Sequence, residues 1–454
     1  MWTVAELAGD LAAGRVRARE LTEQCLARIV DASGQGAVTF LGVFADAARA
    51  QADALDRQRA AGVPLPPLAG VPVSVKDLFD VAGQVTAAGS VALLTRPPAA
   101  QDAAVVARLR AAGLIIIGRT NMTELAYSGL GINPHHGTPL NPFDRATGRI
   151  PGGSSSGAAV SVTDRMAAAG IGTDTGGSCR IPAAFSGIVG FKPTASRVPR
   201  AGVAPLSTTL DSVGPLAPTV SCCALLDAVM SAAELRAPHE FPLRGLRLLL
   251  PRNYVLENLD DTVAAVFDHS LSALSQAGAL ITRTSLPELE RLPEINAKGG
   301  FSGAESYAAY GALLESQSGA FDPRVAARVL KGREQTAVDY LALQRTRVEL
   351  IRSVSAATAP YDAVVMPTVP IVAPPLRSLA TDAEYFRVNA LALRNPGIAN
   401  FLDGCAISIP IHRVGEAPVG LMLMGETGAD LRLLAIARAA EALLSPAPDR
   451  DGPR

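Results

Sequence analysis

Gly152-Gly153-Ser154-Ser155-Ser156-Gly157, an apolar run, and then Thr173-Asp174-Thr175-Gly176-Gly177-Ser178 form the stretch from which the rest of the chain can be read. Two clusters of small hydroxyl and glycine residues stand at the two ends of a short element and can fold back on one another. Glycine lets a backbone approach a ligand closely or take angles that a Cβ forbids. Successive N–H groups in a glycine-rich turn that leads into a helix form a nest for an anion. A serine in such a nest, Ser178, is well sited as a nucleophile whose oxyanion the nest would hold.

A serine nucleophile needs a base. The five histidines (His135, His136, His239, His269 and His412) lie far in sequence from both clusters, and none has the spacing of a metal site. A Ser-His-Asp triad would need a distant histidine to fold in. The other candidate is Lys76, which follows the apolar run Val71-Pro-Val-Ser-Val. Only four lysines (Lys76, Lys192, Lys298 and Lys331) occur among 41 basic residues, so arginine serves wherever a plain positive charge suffices. A lysine retained behind an apolar run is informative, because lysine can lose its proton and arginine cannot.

Lys76, the Gly152 to Ser156 run, the run from Thr173 through Arg180-Ile-Pro-Ala-Ala-Phe-Ser-Gly187, and Val189-Gly-Phe-Lys-Pro-Thr194 together resemble the amidase signature family. The resemblance is densest over residues 68–214. It implies an α/β fold in which a large mixed β-sheet is covered by helices on both faces. One domain over residues 1–454 is expected, with residues 240–445 completing the sheet and the substrate cleft. It implies amide cleavage through a Ser–cis-Ser–Lys triad and an acyl-enzyme, releasing ammonia or an amine. Ser178 matches the nucleophile, Ser154 the bridging cis-serine and Lys76 the base. The N–H groups of Thr175, Gly176, Gly177 and Ser178 are the expected oxyanion hole, with Ser155 and Ser156 adding to the hydrogen-bonded relay. Asp174 and Arg180 are expected to order the loop as a pair, and Tyr127 to face substrate. No cofactor or metal is implied.

An alternative is the catalytic subunit of a multi-chain amidotransferase or of a carboxybiuret-type hydrolase. The runs at Asn121-Met-Thr-Glu-Leu-Ala-Tyr-Ser-Gly and Asn400-Phe-Leu-Asp-Gly-Cys-Ala-Ile-Ser resemble the second group more. In the latter run Asp403 and Cys405 replace the usual Gly and Pro. A non-catalytic scaffold is the third reading.

A net charge of −1 gives no broad basic surface for nucleic acid, and a hydrophobic content of 48% implies a sizeable core. No apolar run is long enough for a membrane span, and the opening Met-Trp-Thr-Val-Ala-Glu-Leu does not read as a signal peptide. Five scattered cysteines (Cys25, Cys179, Cys222, Cys223 and Cys405) fit free thiols in a reducing cytoplasm. The expected partner is a small amide substrate; a homodimer or a small helper chain is compatible with the pattern.

Along the chain, apolar spacing predicts helices at 4–12, 18–30, 45–61 and 102–112. A buried strand at 68–75 delivers Lys76, and a parallel-type strand follows at 114–118. A short helix capped by Asn121 is expected at 121–127. The loop 129–151, which carries His135 and His136, reads as a wall of the cleft. Beyond it the pattern predicts a helix at 155–163, a strand at 166–172 and a helix at 225–233. Strands are expected at 245–251, 279–282, 361–370, 405–411 and 419–424, and helices at 261–277, 301–314, 337–356 and 431–444. Residues 449–454 read as a disordered tail.

Overall fold

The computed structural model describes residues 2–444, so the tail expected at 449–454 lies outside the described residues. Eleven strands form one mixed sheet: β1 (Phe40–Val43), β2 (Pro72–Lys76), β3 (Ile115–Thr120), β4 (Ala169–Asp174), β5 (Val189–Lys192), β6 (Ser212–Ala217), β7 (Arg247–Pro251), β8 (Leu280–Thr284), β9 (Ala363–Pro367), β10 (Cys405–Pro410) and β11 (Gly420–Gly425). Their spatial order is β1-β3-β2-β4-β6-β5-β10-β11-β9-β7-β8. The expected fold class is therefore the observed one, and strands from both parts of the chain share the sheet.

The apolar runs explain the centre. β2, β3 and β4 are buried along their whole length, as strands covered on both faces must be. β2 runs parallel to both β3 and β4, with Val75 opposite Ile171. The carboxyl ends of β2 and β4 thus emerge at one edge of the sheet, where ligands of α/β sheets bind. Lys76 ends the first and Asp174 the second. β6 then returns antiparallel to β4, with Ser212 opposite Asp174.

Helix Ser156–Thr163 is buried from Ser156 through Val162 and packs over β4. Its first turn passes so close to the end of β3 that the Gly157 N–H donates to the Asn121 carbonyl at 2.9 Å. A Cβ on Gly157 would stand 2.5 Å from the Thr39 oxygen and 2.7 Å from the Asn121 backbone.

Two expectations are corrected. Residues 121–127 form no capped helix but a single 3-10 turn, Glu124–Ala126, with Leu125 and Ala126 at positive φ. The Asn121 amide is committed instead to the carbonyls of Val38 and Gly137, and the Thr123 N–H donates to the Ser154 carbonyl. The strand expected at 166–172 begins three residues later, because the Met166 and Ala167 N–H groups still bond back to the Ser161 carbonyl. Helix Asp382–Phe401 was not foreseen; Pro396 sits inside it and interrupts the helical pattern in the sequence. Where Asp403 stands in place of glycine, the backbone is left-handed with φ 56°, an angle Asp tolerates better than most residues. No helix among the described residues is long and apolar enough to cross a membrane.

Gly157→Ala is expected to cost at least about 1–3 kcal/mol through overpacking against fixed backbone. Urea unfolding of the variant against wild type measures it.

Candidate active site

Lys76 is fully buried at the end of β2. Its Nζ donates to Ser154 Oγ at 2.7 Å and to Thr173 Oγ1 at 3.0 Å. Neither neighbouring acid pairs with it. Asp77 receives Arg119 Nε at 2.8 Å and the Gly89 N–H at 2.9 Å, and Asp80 receives the Thr86 hydroxyl. Burying a cation without a carboxylate is costly, and a lysine responds by releasing its proton more readily. Burial accordingly lowers the Lys76 pKa to about 8, against the opposing fields of Cys179, Asp211 and Asp174.

The first serine cluster turns on Gly152, at φ 78°, and on a cis peptide between Gly153 and Ser154. The Gly153 N–H donates to the Gly129 carbonyl, and the Ser155 N–H to the Ser178 carbonyl at 3.3 Å, so the two clusters do fold back on one another. Ser155 Oγ donates to the Thr173 carbonyl and Ser156 Oγ to that of Asn121. Both hydroxyls therefore brace the turn. Ser154 is wholly enclosed, whereas Ser178 keeps 3% of its surface exposed.

The second cluster is organised by Asp174. Its Oδ1 accepts the Gly177 N–H at 2.8 Å and its Oδ2 the Cys179 N–H at 3.0 Å. Arg180 grips both oxygens, Nη2 to Oδ1 at 2.8 Å and Nε to Oδ2 at 3.0 Å, with both side chains fully buried. Arg180 also donates to the Pro396 carbonyl and to Asn400 Oδ1. Burial works to raise the Asp174 pKa, but the Arg180 guanidinium and its hydrogen bonds outweigh it and hold the carboxyl well below the usual range. The Gly177 N–H is thus engaged by Asp174. Those of Thr175, Gly176 and Ser178 donate to no protein acceptor among the described residues.

Thr175 is held by a residue that sequence reading missed. Its hydroxyl donates to Asp211 Oδ1 at 2.5 Å, and burial raises that carboxyl to about 6. Thr173 and Asn400 were missed as well. Thr173 lies inside the run quoted above, and Asn400 opens the run at 400–408, so position within a motif was the available signal.

Tyr127 lies buried, with the Arg328 guanidinium 4.2 Å above its ring and donating to its carbonyl. The His135 and His136 N–H groups both donate to Asn133 Oδ1, which ties the loop to itself. Among the described residues no group of three His, Cys, Asp or Glu side chains could hold a metal ion.

A family model described as Amidase matches residues 20–434. The chain is 38% identical over 449 residues to a 2-amino-5-chloromuconic acid deaminase of Comamonas testosteroni, covering 95% of each chain. It is 34% identical over 480 residues to a glutamyl-tRNA(Gln) amidotransferase subunit of Thioalkalivibrio sulfidiphilus, covering 96% of each. A crystal structure of an amidase superimposes with a TM-score of 0.88 at 32% identity, covering 98% of this chain and 100% of the other.

Arg180→Ala leaves Asp174 as an uncompensated buried charge and is expected to destabilise the fold by about 3–5 kcal/mol. Thermal and urea unfolding read this out directly.

Proposed function

The chain belongs to the amidase family, hydrolases of carbon–nitrogen amide bonds, and from that premise we propose that it cleaves a small linear amide by acylating Ser178. The observation that carries the reading is the buried Lys76 amine, 2.7 Å from Ser154 Oγ and without a carboxylate partner.

Once neutral, the amine keeps an N–H on Thr173 and offers its lone pair to the Ser154 hydroxyl. Ser154 gives up its proton to Lys76 as it takes the proton of Ser178. Ser178 Oγ attacks the amide carbon, and the negative charge moves to the carbonyl oxygen. The N–H groups of Thr175, Gly176 and Ser178 receive that oxyanion; losing one such donor typically costs about 10²–10³ in rate. The proton returns through Ser154 to the leaving nitrogen, the C–N bond breaks, and ammonia or an amine departs. Water then repeats the sequence on the ester and releases the acid. Gly177 contributes differently from its neighbours, since its N–H fastens the turn to Asp174.

We propose further that the chain acts as one amidase domain. Its five free, buried cysteines support a reducing cytoplasm as its setting. The similarity to a deaminase of an open-chain acid supports ammonia as the released amine. A second reading, a catalytic subunit that needs a partner, draws on the 34% identity to one chain of an amidotransferase.

Ammonia release by the purified chain from a panel of aliphatic and aryl amides, glutamine and carboxybiuret-like compounds tests the proposal. Activity that disappears in Ser178→Ala is expected; equal activity in the two proteins overturns it. Activity that appears only after a host extract is added favours the second reading. Because the base acts when neutral, kcat/KM should rise with pH through a limb near 8, the value to which burial lowers Lys76. Lys76→Met should remove both that limb and the activity.

A further inference from the structure

Between Asp174 and Ser178 the oxyanion turn carries a single side chain, that of Thr175. Gly176 and Gly177 have none, and glycine confers no preference on the backbone that it occupies. The direction of the turn's N–H groups must therefore be imposed by contacts: beside the Gly177 N–H on Asp174 Oδ1, two further sets act around Thr175. The Asp174 carbonyl receives Asn400 Nδ2 at 2.9 Å and the Ser212 hydroxyl at 3.0 Å. In a trans peptide the following N–H points the opposite way, so the Thr175 N–H is turned away from both donors. The second contact is the hydroxyl of Thr175 on Asp211.

Asp211 is buried at the entry to β6, one residue before Ser212. Its two oxygens have separate tasks. Oδ2 accepts the N–H groups of Leu206 at 3.0 Å and Ser207 at 3.1 Å, which organises its own loop. Oδ1 accepts the Thr175 hydroxyl. A residue serving its loop alone would need only the first set.

The loop is in turn fastened to the second part of the chain. The Tyr310 hydroxyl donates to the Pro205 carbonyl at 2.7 Å. Ser207 Oγ, the Thr209 N–H and the Tyr340 hydroxyl all donate to the Glu305 carboxylate. Glu305 and Tyr310 belong to helix Gly300–Ser316. A continuous strut thus runs from that helix, through the loop and Asp211, to the turn.

Resting on the Ser178 reading, we propose that Asp211 is a positioning residue: by holding the Thr175 hydroxyl it sets the direction of the Thr175 and Gly176 N–H groups toward the developing oxyanion. It touches no reacting atom. A hydrogen bond to a carboxylate is roughly twice as strong as a neutral one, which suits a contact that must hold a glycine-rich turn still.

The test is the reaction of the full chain with an alkyl fluorophosphonate, which requires no knowledge of the natural substrate. Ser178 Oγ forms a bond to phosphorus, the P–F bond breaks, and fluoride leaves together with the serine proton. The phosphoryl oxygen occupies the oxyanion position. Labelling is followed by intact mass, and kinact and KI are separated for wild type, Thr175→Val, Thr175→Ser, Asp211→Asn and the Thr175→Val/Asp211→Asn pair. Thr175→Val and Asp211→Asn should each lower kinact about 10–100-fold, less than deletion of a donor, with KI changed by no more than about twofold. Thr175→Ser, which restores the hydroxyl, should recover kinact to within about threefold, and the double variant should be no slower than the slower single one. Circular dichroism verifies folding; should Asp211→Asn not fold, the Thr175→Val and Thr175→Ser pair decides. Wild-type kinact in Thr175→Val, a loss confined to KI, or a Thr175→Ser as slow as Thr175→Val overturns the proposal. Labelling of Ser178→Ala at the wild-type rate would instead overturn the nucleophile assignment. That outcome is distinct from a silent Ser178→Ala beside an unaffected Thr175→Val.

Discussion

An amine sealed in a protein interior with only hydroxyls for company is the constraint around which this molecule is arranged. Lys76 is wholly enclosed and meets Ser154 and Thr173. Its charged form is penalised by the loss of water, and no carboxylate lies in contact to offset that loss. The nearby acids are each engaged elsewhere. Asp77 is held by Arg119, Asp174 by Arg180, and Asp211 by Thr175 and two backbone N–H groups. Any one of them, freed to pair with Lys76, would favour the ammonium and oppose its use as a base.

Such burial requires a strand end covered from both sides. The parallel set β3-β2-β4 provides it, and the same parallel register brings the end of β4 to the same edge. The first part of the chain therefore supplies Lys76, Ser154 and Ser178. The later part braces them: Asn400 and the Pro396 carbonyl hold Arg180 and Asp174, and Glu305 anchors the loop behind Asp211. Severing the second part from the first would remove no proposed reacting group but would loosen the turn on which they act.

Much of this was legible in the sequence because the signals were local. The lysine stood out in an arginine-rich chain, the glycine-serine clusters could hardly serve packing, and the Asp174–Arg180 pairing lay within six residues. Most long apolar runs became strands and most amphipathic stretches helices. What escaped depended on distance or on conflicting local rules. Asp211 reaches Thr175 across 36 positions and Asn400 reaches Asp174 across 226, separations over which one sequence carries no pairing signal. β5 spans only four residues, and β6 contains both Gly214 and Pro215, residues that disfavour a strand. Asn121 has the character of a helix cap, yet tertiary acceptors at Val38 and Gly137 claimed its amide.

The central claim concerns the charge on one nitrogen, and it can be measured there. With only four lysines in the chain, labelling their side chains with carbon-13 at Cε gives a spectrum simple enough to titrate residue by residue. Burial lowers Lys192 to about 8 as well, so the Lys76→Met variant is needed to assign the signal. The account predicts a resonance with a midpoint near 8 that is missing from Lys76→Met. A Lys76 resonance titrating at about 10.4, the ordinary value for lysine, would contradict it.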